Sequence, residues 1–446
     1  MQMIKAAVAE CRQVLEELVG SCAGTELTPE SFLAAIGTIK AAVNELGRKA
    51  LEVVIAAAES GDEIIEHNGD RYRFKQVTPK KWLTPFGHIV VDRRYYQQDR
   101  GGDGLAVIDL RCGMVDRYMT PDVEEMAAFG AAMLTPAEVE SLLGKALPVG
   151  PSAKAISRVI KDVGEFLEEH ADEVEDQIHE DAPMSEDGDI LAVSWDGVMV
   201  ATRERSSSTA WREAGVATVS IYRPPDLDSP EPERTDARYF ARMPETGMRT
   251  LIGQIEREVS AVQEHRTYRE FAVLCDGKDT IWNTAASSAT LKPATFILDF
   301  YHASSYISNV ANAIYGEGTK RAEAWHRRWC DQLQLEEDAV SKLVRAITRA
   351  MHGFSTKTHP HHVLRRAVQF LRENRQRMRY AEFLRRGLPI GSGPVEAGCK
   401  TIVAARLKRS GMRWSLEGGQ NVLNLRCHLK SNRWDQAWSA YQNRAA

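Results

Sequence analysis

Along residues 1 to about 66 the apolar positions fall three and four apart, the spacing of one helix face. They are Val8, Cys11, Val14, Leu15 and Leu18, then Leu33, Ile36, Ile39, Val43, Leu46 and Leu51. Thr28-Pro29-Glu30 offers a cap, a first-turn proline and an early acid, so a helix is expected to start there. This stretch carries no candidate chemistry and reads as a packing or assembly unit. From residue 70 to 98 the period drops to two. Tyr72-Arg73-Phe74-Lys75 alternates, and Gly87 to Tyr96 is rich in β-branched and aromatic residues, which predicts strands followed by a loop from Asp99 to Gly104.

Helical spacing returns from 120 to 169. Thr120-Pro121-Asp122 starts one helix, and Thr135-Pro136-Ala137-Glu138 starts another of about nine residues. Gly144 to Gly150 breaks the pattern, and Ser152 caps a third helix through Ile156, Val159, Ile160, Val163 and Phe166, with Lys154, Arg158 and Lys161 on its outward face. Two helices around a short glycine-containing turn suggest a helix-turn-helix. Residues 168–189, with Pro183, Ser185 and Gly188, read as a helix end and then a linker at a domain boundary.

A different grammar begins at Asp189. Ile190 to Trp195, Val198 to Thr202 and Val216 to Ile221 read as three strands, and residues 223–236, with four prolines, as a loop. Leu251, Ile252, Ile255, Val259 and Val262 mark a helix, Phe271 to Cys275 a fourth strand, a helix follows from Thr280, and Thr295 to Leu298 is a fifth strand. Ala303 to about Gly387 is helical throughout, and two more helices span Glu396 to Leu407 and Leu416 to Leu429.

Composition changes the picture in one respect. Hydrophobic content of 43% and charge of 27% are ordinary for globular domains, and 446 residues are enough for two to four of them. The net charge of -5 hides an asymmetry. Residues 168–189 hold eleven acids and no Lys or Arg, residues 365–386 hold eight Arg against two Glu, and residues 400–433 hold eight Lys or Arg against one Glu. That basic C-terminal part points to an anionic partner, with solvated helix faces as the bland alternative. The basic, aromatic strands of residues 70–98 could likewise touch DNA backbone or simply cap the helices. The seven cysteines are scattered with no CxxC, which fits reduced intracellular thiols rather than disulfides or a zinc ribbon. No apolar run reaches the roughly 18 residues of a membrane span, so no membrane partner is expected.

Three acids stand at suggestive places: Asp196 after the first strand run, Asp276 after the fourth, and Glu396 after Gly391-Ser392-Gly393-Pro394. Mg²⁺ takes oxygen ligands and keeps several waters, so a few carboxylates suffice to bind it. Two such ions about 4 Å apart can drive phosphodiester cleavage, one at the attacking and one at the leaving oxygen. Each acid also has a plain reading: Asp196-Gly197 as a hairpin turn, Asp276-Gly277 as a strand-to-loop turn, and Glu396 in a first helical turn that favours acids. Asp299 and His302 close the fifth strand; they could order the site, contact DNA or form a structural pair, and Asp299 rivals Asp276 as second acid. His359, His361 and His362 read as exposed loop residues around Pro360 rather than a metal site. Gly391-Ser392-Gly393 lacks the Gly-Lys-Ser/Thr ending of a P-loop.

The set Ser194-Trp195-Asp196-Gly197, Cys275-Asp276-Gly277 through Trp282, Leu298-Asp299-Phe300-Tyr301-His302, Gly391-Ser392-Gly393 through Glu396, and Arg413-Trp414-Ser415 resembles bacterial insertion-sequence transposases of the ISKra type, which are similar to Mutator-like DDE transposases. The resemblance covers roughly residues 70 to 435. It implies a multidomain α+β protein: a ribonuclease H-like α/β catalytic core with an all-helical insertion, after a mainly helical N-terminal DNA-binding region. The expected division is 1–68 helical, 69–115 a small β element, 116–170 helix-turn-helix-like, 171–188 linker, 189–302 and 388–435 catalytic, and 303–387 insertion. Asp196, Asp276 and Glu396 would be the catalytic, Mg²⁺-binding triad, with Mn²⁺ able to substitute, and Asp299 and His302 match the family's acid-or-cysteine-x-x-His motif. Relatives often carry paired cysteines after the aromatic strand; Tyr95 to Arg100 has none, so zinc is not expected.

The expected function is metal-dependent cleavage and strand transfer at the inverted repeats of a mobile element, in bacterial cytoplasm at the nucleoid, by at least a homodimer on double-stranded DNA. Lys154, Arg158, Lys400, Arg406, Lys408, Arg409, Arg413 and Trp414 are the expected DNA contacts. The alternatives are a structure-specific nuclease on the same core, or a DNA-binding protein without catalysis.

Overall fold

The computed structural model describes residues 9, 12–14, 16–20, 26–98, 102, 104–203, 209–226, 229 and 231–444. Val8, Cys11, Leu15 and Cys22, and Asp99, Arg100, Gly101 and Asp103 of the expected loop, lie outside that set. The protein is mixed α/β, and the chain divides into two compact units, Met1–Val174 with Asp435–Ala446, and Glu175–Trp434.

In the first unit one helix runs from Pro29 to Ala58. A capping box closes its start: Thr28 Oγ1 accepts from the Ser31 N–H (3.1 Å) and Ser31 Oγ from the Thr28 N–H (2.8 Å). Strands β1 (Ile64–His67), β2 (Asp70–Thr84), β3 (Gly87–Gln98) and β4 (Gly104–Ala106) form an antiparallel sheet in sequence order. Its face packs on the long helix through Ile55, Trp82, Ile89, Val91, Ile108 and Met114. Two of its arginines are used internally. Arg93 pairs with Asp109, and Arg94 lies 3.9 Å from the Phe74 ring centroid and donates to the Asp62 carbonyl (3.0 Å). The sheet thus caps the long helix.

Helices Pro121–Met133, Pro136–Ala146 and Ala153–Glu169 follow. In the last, Ile156, Val159, Ile160, Val163 and Leu167 are buried while Lys154, Arg158 and Lys161 are exposed, the two faces its spacing requires. Residues 171–181, expected to open a linker, are instead a helix, Ala171–Asp181. Val174 and Ile178, one turn apart, are buried, which outweighs the acidic composition.

The second unit is built on one sheet: β5 (Ile190–Arg203), β6 (Thr209–Arg223), β7 (Glu233–Arg242), β8 (Glu270–Cys275) and β9 (Thr295–Leu298), in the order β7-β6-β5-β8-β9. The β5–β6 and β6–β7 pairs are antiparallel, and β5–β8 and β8–β9 are parallel. Two expectations are corrected. Residues 190–195 and 198–202 are not two strands around an Asp-Gly turn but one unbroken strand, in which Asp196 and Gly197 pair with Val216 and Gly215. The third antiparallel strand is Glu233–Arg242, which begins inside the stretch 223–236 expected as a loop.

That strand lacks an apolar signature because Arg238 holds an inward position, only 2% exposed. Buried charges are rare unless paired. Here the guanidinium binds Glu175 and lies 3.5 Å from Glu258 Oε2, which is 2.9 Å from His179 Nε2. Burial alone would lower the pKa of Arg238, but Glu175 and Glu258 outweigh it and hold it above the ordinary value.

The helix Arg249–His265 buries Leu251, Ile255, Val259 and Val262 in the same core, together with the helices of residues 300–385. The buried Tyr380 hydroxyl donates to the Leu298 carbonyl (3.0 Å), tying that helical segment to the end of β9. The histidines at 359, 361 and 362, expected on a loop, open the helix His359–Glu373. Pro360 sits in its first turn, where a missing N–H is tolerated, so the proline marks a start and not an interruption. Among the described residues no helix is long and apolar enough to cross a membrane.

Candidate active site

Strand register brings the first two acids level. β5 and β8 pair in parallel from Ile190 with Glu270 to Val193 with Val273. Three residues further along each strand stand Asp196 and Asp276, so both carboxylates arise at one height on neighbouring strands. Because β8 ends at Cys275 while β5 continues, Asp196 lies in mid-strand rather than at a strand end. The pleat sends Trp195 into the core and Asp196 to the opposite face.

An ammonium lies between them. Lys278 Nζ is 3.6 Å from Asp196 Oδ1, 3.6 Å from Asp276 Oδ2 and 3.1 Å from Glu213 Oε1. The Lys278 N–H donates to Asp276 Oδ1 (3.2 Å), at the cap position of helix Asp279–Ser287. Glu213 reaches over from β6 across Gly197, where any Cβ would overlap its carboxylate, so the Asp-Gly dipeptide serves close approach and not a turn. Gly277 has a similar role: a Cβ there would lie 2.6 Å from the Phe370 ring. Asp196, Glu213 and Lys278 open onto a cleft of about 1050 Å³, lined also by Met199, Trp211 and Asn283 among others. Trp211 is 60% exposed there. Burial, and then the charge of Asp276, raise the Asp196 carboxyl above its ordinary value, against the opposing pull of the Gly197 N–H (2.7 Å) and Lys278.

Glu396 arrives on the helix Gly393–Gly398, which continues through a π-helical turn, Cys399–Ala404, into Ala405–Leu407. Such π turns recur at functional sites. The helix packs on β5 and β6. Gly398 permits the close approach, since a Cβ there would lie 3.1 Å from Cγ1 of Val216, the register partner of Asp196. Glu396 is exposed and 3.6 Å from Lys400 one turn on. Cys399 feels both acids: burial first, then Asp196 and Glu396, push its thiol up to about 12. The three carboxylates thus share one side of the sheet without closing on each other. Among the described residues, the trio of potential ligands within 4.8 Å is Glu175, His179 and Glu258, where Arg238 already supplies the cation.

Asp299 is buried and commits both oxygens to backbone. Oδ1 accepts from the His302 N–H (2.6 Å) and Oδ2 from the Ser392 N–H (2.6 Å). It therefore caps the helix Phe300–Tyr315 and pins the loop that leads to Glu396. The His302 ring packs near Tyr306 and Phe370, with centroids 5.5 and 6.0 Å away. Gly391 lies under the Tyr301 ring, where a Cβ would come within 2.9 Å. Asp299→Ala is expected to cost about 2–4 kcal/mol, because it strands two backbone donors, one of them buried. Urea unfolding checks this, with Asp299→Asn, which keeps one acceptor, falling between.

Lys154 and Arg158 are exposed in the first unit, and Lys400, Lys408, Arg409 and Arg413 in the second. Arg406 is not: it is 1% exposed, with its guanidinium 5.2 Å from the Trp414 ring centroid. Trp414 has a structural place of its own. Its Nε1 donates to the Leu407 carbonyl (3.0 Å), its N–H to the Ala201 carbonyl (3.0 Å), and its carbonyl accepts from the Arg203 N–H (2.8 Å). Burial takes Arg406 off the surface, while Trp414 is held half-buried by these backbone bonds. Lys408, Arg409 and Arg413 line a second hollow of about 290 Å³, which also includes Trp211.

Glu213 and Lys278 had no place in the sequence reading. Lys278 carries a faint signal, a cation two residues after Asp276. Glu213 carries none, because only the antiparallel register of β5 and β6 brings it over Gly197.

A family sequence model, the Uncharacterised protein family (UPF0236), matches residues 32–437. The chain belongs to that family. The UPF0236 match spans every candidate site residue, and the family description names no activity. A search of curated proteins finds none that matches this chain.

Proposed function

We propose that this UPF0236 protein is a DDE transposase of the ISKra type, which binds the terminal inverted repeats of its element and catalyses DNA cleavage and strand transfer. The observation that carries the reading is the pair Asp196 and Asp276, level on adjacent parallel strands around a positive charge. The sheet supports a ribonuclease H-like core: three antiparallel strands, then two parallel ones added beside the first, in spatial order 3-2-1-4-5. A helical segment precedes the helix that brings Glu396 to the same sheet.

The donor set fits a hard divalent cation. Asp196, on an open cleft, and Asp276 beside it already gather around one ammonium, so Mg²⁺ or Mn²⁺ would be held by them and Glu396. Such ions, when bound, supply charge stabilisation at the attacking and leaving oxygens of an in-line displacement. The chain's own residues do the rest. Gly197 and Gly398 let Glu213 and the Glu396 helix close on the sheet, Asp299 fixes the loop before Glu396, and Lys400, Lys408, Arg409 and Arg413 meet backbone phosphates. Phosphate contacts of this kind make affinity fall steeply with salt. Lys154 and Arg158 put two exposed cations on the first turns of the helix Ala153–Glu169 for the element ends, and joining two ends requires at least two copies of the chain. The protein works on the nucleoid in the bacterial cytoplasm.

The test uses a labelled duplex carrying the inverted repeat that flanks the gene, incubated with the protein and Mg²⁺ or Mn²⁺. Cleavage at the repeat boundary leaving a 3′ hydroxyl is the expected result. Binding without cleavage in either metal would mean a DNA-binding protein without catalysis, and cutting governed by DNA structure instead of the repeat would mean a nuclease.

A further inference from the structure

We propose that Lys278 is a built-in counter-ion, which occupies the cation position between Asp196 and Asp276 and yields it to a divalent metal when a DNA phosphate draws the ammonium away. The inference rests on the metal-centre reading above and adds a residue and a regulation to it.

The ammonium lies 3.6 Å from one oxygen of each aspartate and 3.1 Å from Glu213. Three carboxylates on three different strands or strand ends therefore converge on one positive charge. A divalent ion bound by the two aspartates and this ammonium would repel at such short range, so the two compete for one place. Lys278 is able to leave. Its backbone is fixed by the bond to Asp276 Oδ1, but its side chain is 46% exposed and ends in a flexible four-carbon stem. The cleft beside it, lined by Trp211, Thr280 and Asn283, gives an anionic strand room to meet the displaced ammonium.

Two consequences follow. The free protein holds its three carboxylates partly offset by one ammonium, which reduces their mutual repulsion, and it binds metal weakly. DNA and metal then bind cooperatively, each strengthening the other by the same factor, as linkage demands.

The test is Mn²⁺ binding to the full-length protein, followed by electron paramagnetic resonance of the free ion, with and without the inverted-repeat duplex. Lys278→Gln and Lys278→Ala are two replacements of different size, so a local packing fault in one does not decide the result. Both are expected to bind Mn²⁺ at least about tenfold more tightly than the parent without DNA, by removal of the competing charge. The duplex should tighten Mn²⁺ binding to the parent and leave Lys278→Gln nearly unchanged, and adding Asp196→Asn should abolish the gain. Parent-like or weaker Mn²⁺ affinity in both variants, with the parent binding through Asp196, would overturn the role of Lys278 and leave the metal centre standing. If neither parent nor variants bind Mn²⁺ with or without duplex, the metal-centre reading itself fails.

Discussion

Asp196→Asn is expected to abolish metal-dependent DNA cleavage, by about 10³-fold or more, equivalent to roughly 4 kcal/mol of transition-state stabilisation. The protein should remain folded. Asparagine keeps the volume of the side chain and its acceptor for the Gly197 N–H. It also removes a carboxylate whose ionised form is disfavoured by burial. Lys278 loses one of its three partners and keeps Asp276 and Glu213. The separation of the two readouts is the informative part: single-turnover cleavage in Mg²⁺ should collapse while the melting temperature moves little. Loss of cleavage together with loss of fold would say that Asp196 only supports the strand.

Arg238→Ala should have the largest effect on stability. The guanidinium is the cation of a cluster with Glu175, Glu258 and His179 inside the second unit, and it is 2% exposed. Truncation leaves two carboxylates facing each other in a poorly solvated place, and breaking a buried pair in this way costs about 3–5 kcal/mol. Glu258, itself 1% exposed, would keep only His179 on one oxygen, while its other oxygen already has no partner. Chemical denaturation of the parent and variant measures the loss. The combined variant Glu175→Gln, Arg238→Met, Glu258→Gln should recover much of it, since it removes the charges along with their partner. A loss below about 1 kcal/mol in Arg238→Ala would mean that water reaches the cluster and screens it.

The sequence made some of this legible and not the rest, for physical reasons. Uninterrupted apolar runs ending in an acid are visible without a structure, so Asp196 and Asp276 could be singled out, and Gly-Pro before Glu396 marked a helix start. What those runs do not show is pairing. Asp196-Gly197 is a good turn dipeptide, and only the register with Val216 and Gly215 shows that the strand passes straight through it. β7 escaped notice because its inward residue is an arginine, made tolerable by glutamates some 20 and 60 positions away in sequence. Arg406 and Trp414 look like a DNA-contacting pair in a basic segment, yet Arg406 is buried against the Trp414 ring, and Trp414 is hydrogen-bonded to the backbone of β5. Glu213 and Lys278 belong to the candidate site through long-range geometry alone. Asp299, a rival to Asp276 by position, is separated from it by hydrogen bonding: both its oxygens are taken by backbone N–H groups, whereas Asp276 keeps one oxygen toward the Lys278 ammonium.

That difference gives the most direct measurement of the central claim. Strand transfer of a labelled inverted-repeat end into a target plasmid should be followed in Mg²⁺ and Mn²⁺ for the parent, Asp276→Asn, Glu396→Gln and Asp299→Asn. The account predicts joined product from the parent, none from Asp276→Asn or Glu396→Gln, and a reduced but clear yield from Asp299→Asn. Joining by Asp276→Asn at the parent's level, with none from Asp299→Asn, would contradict it.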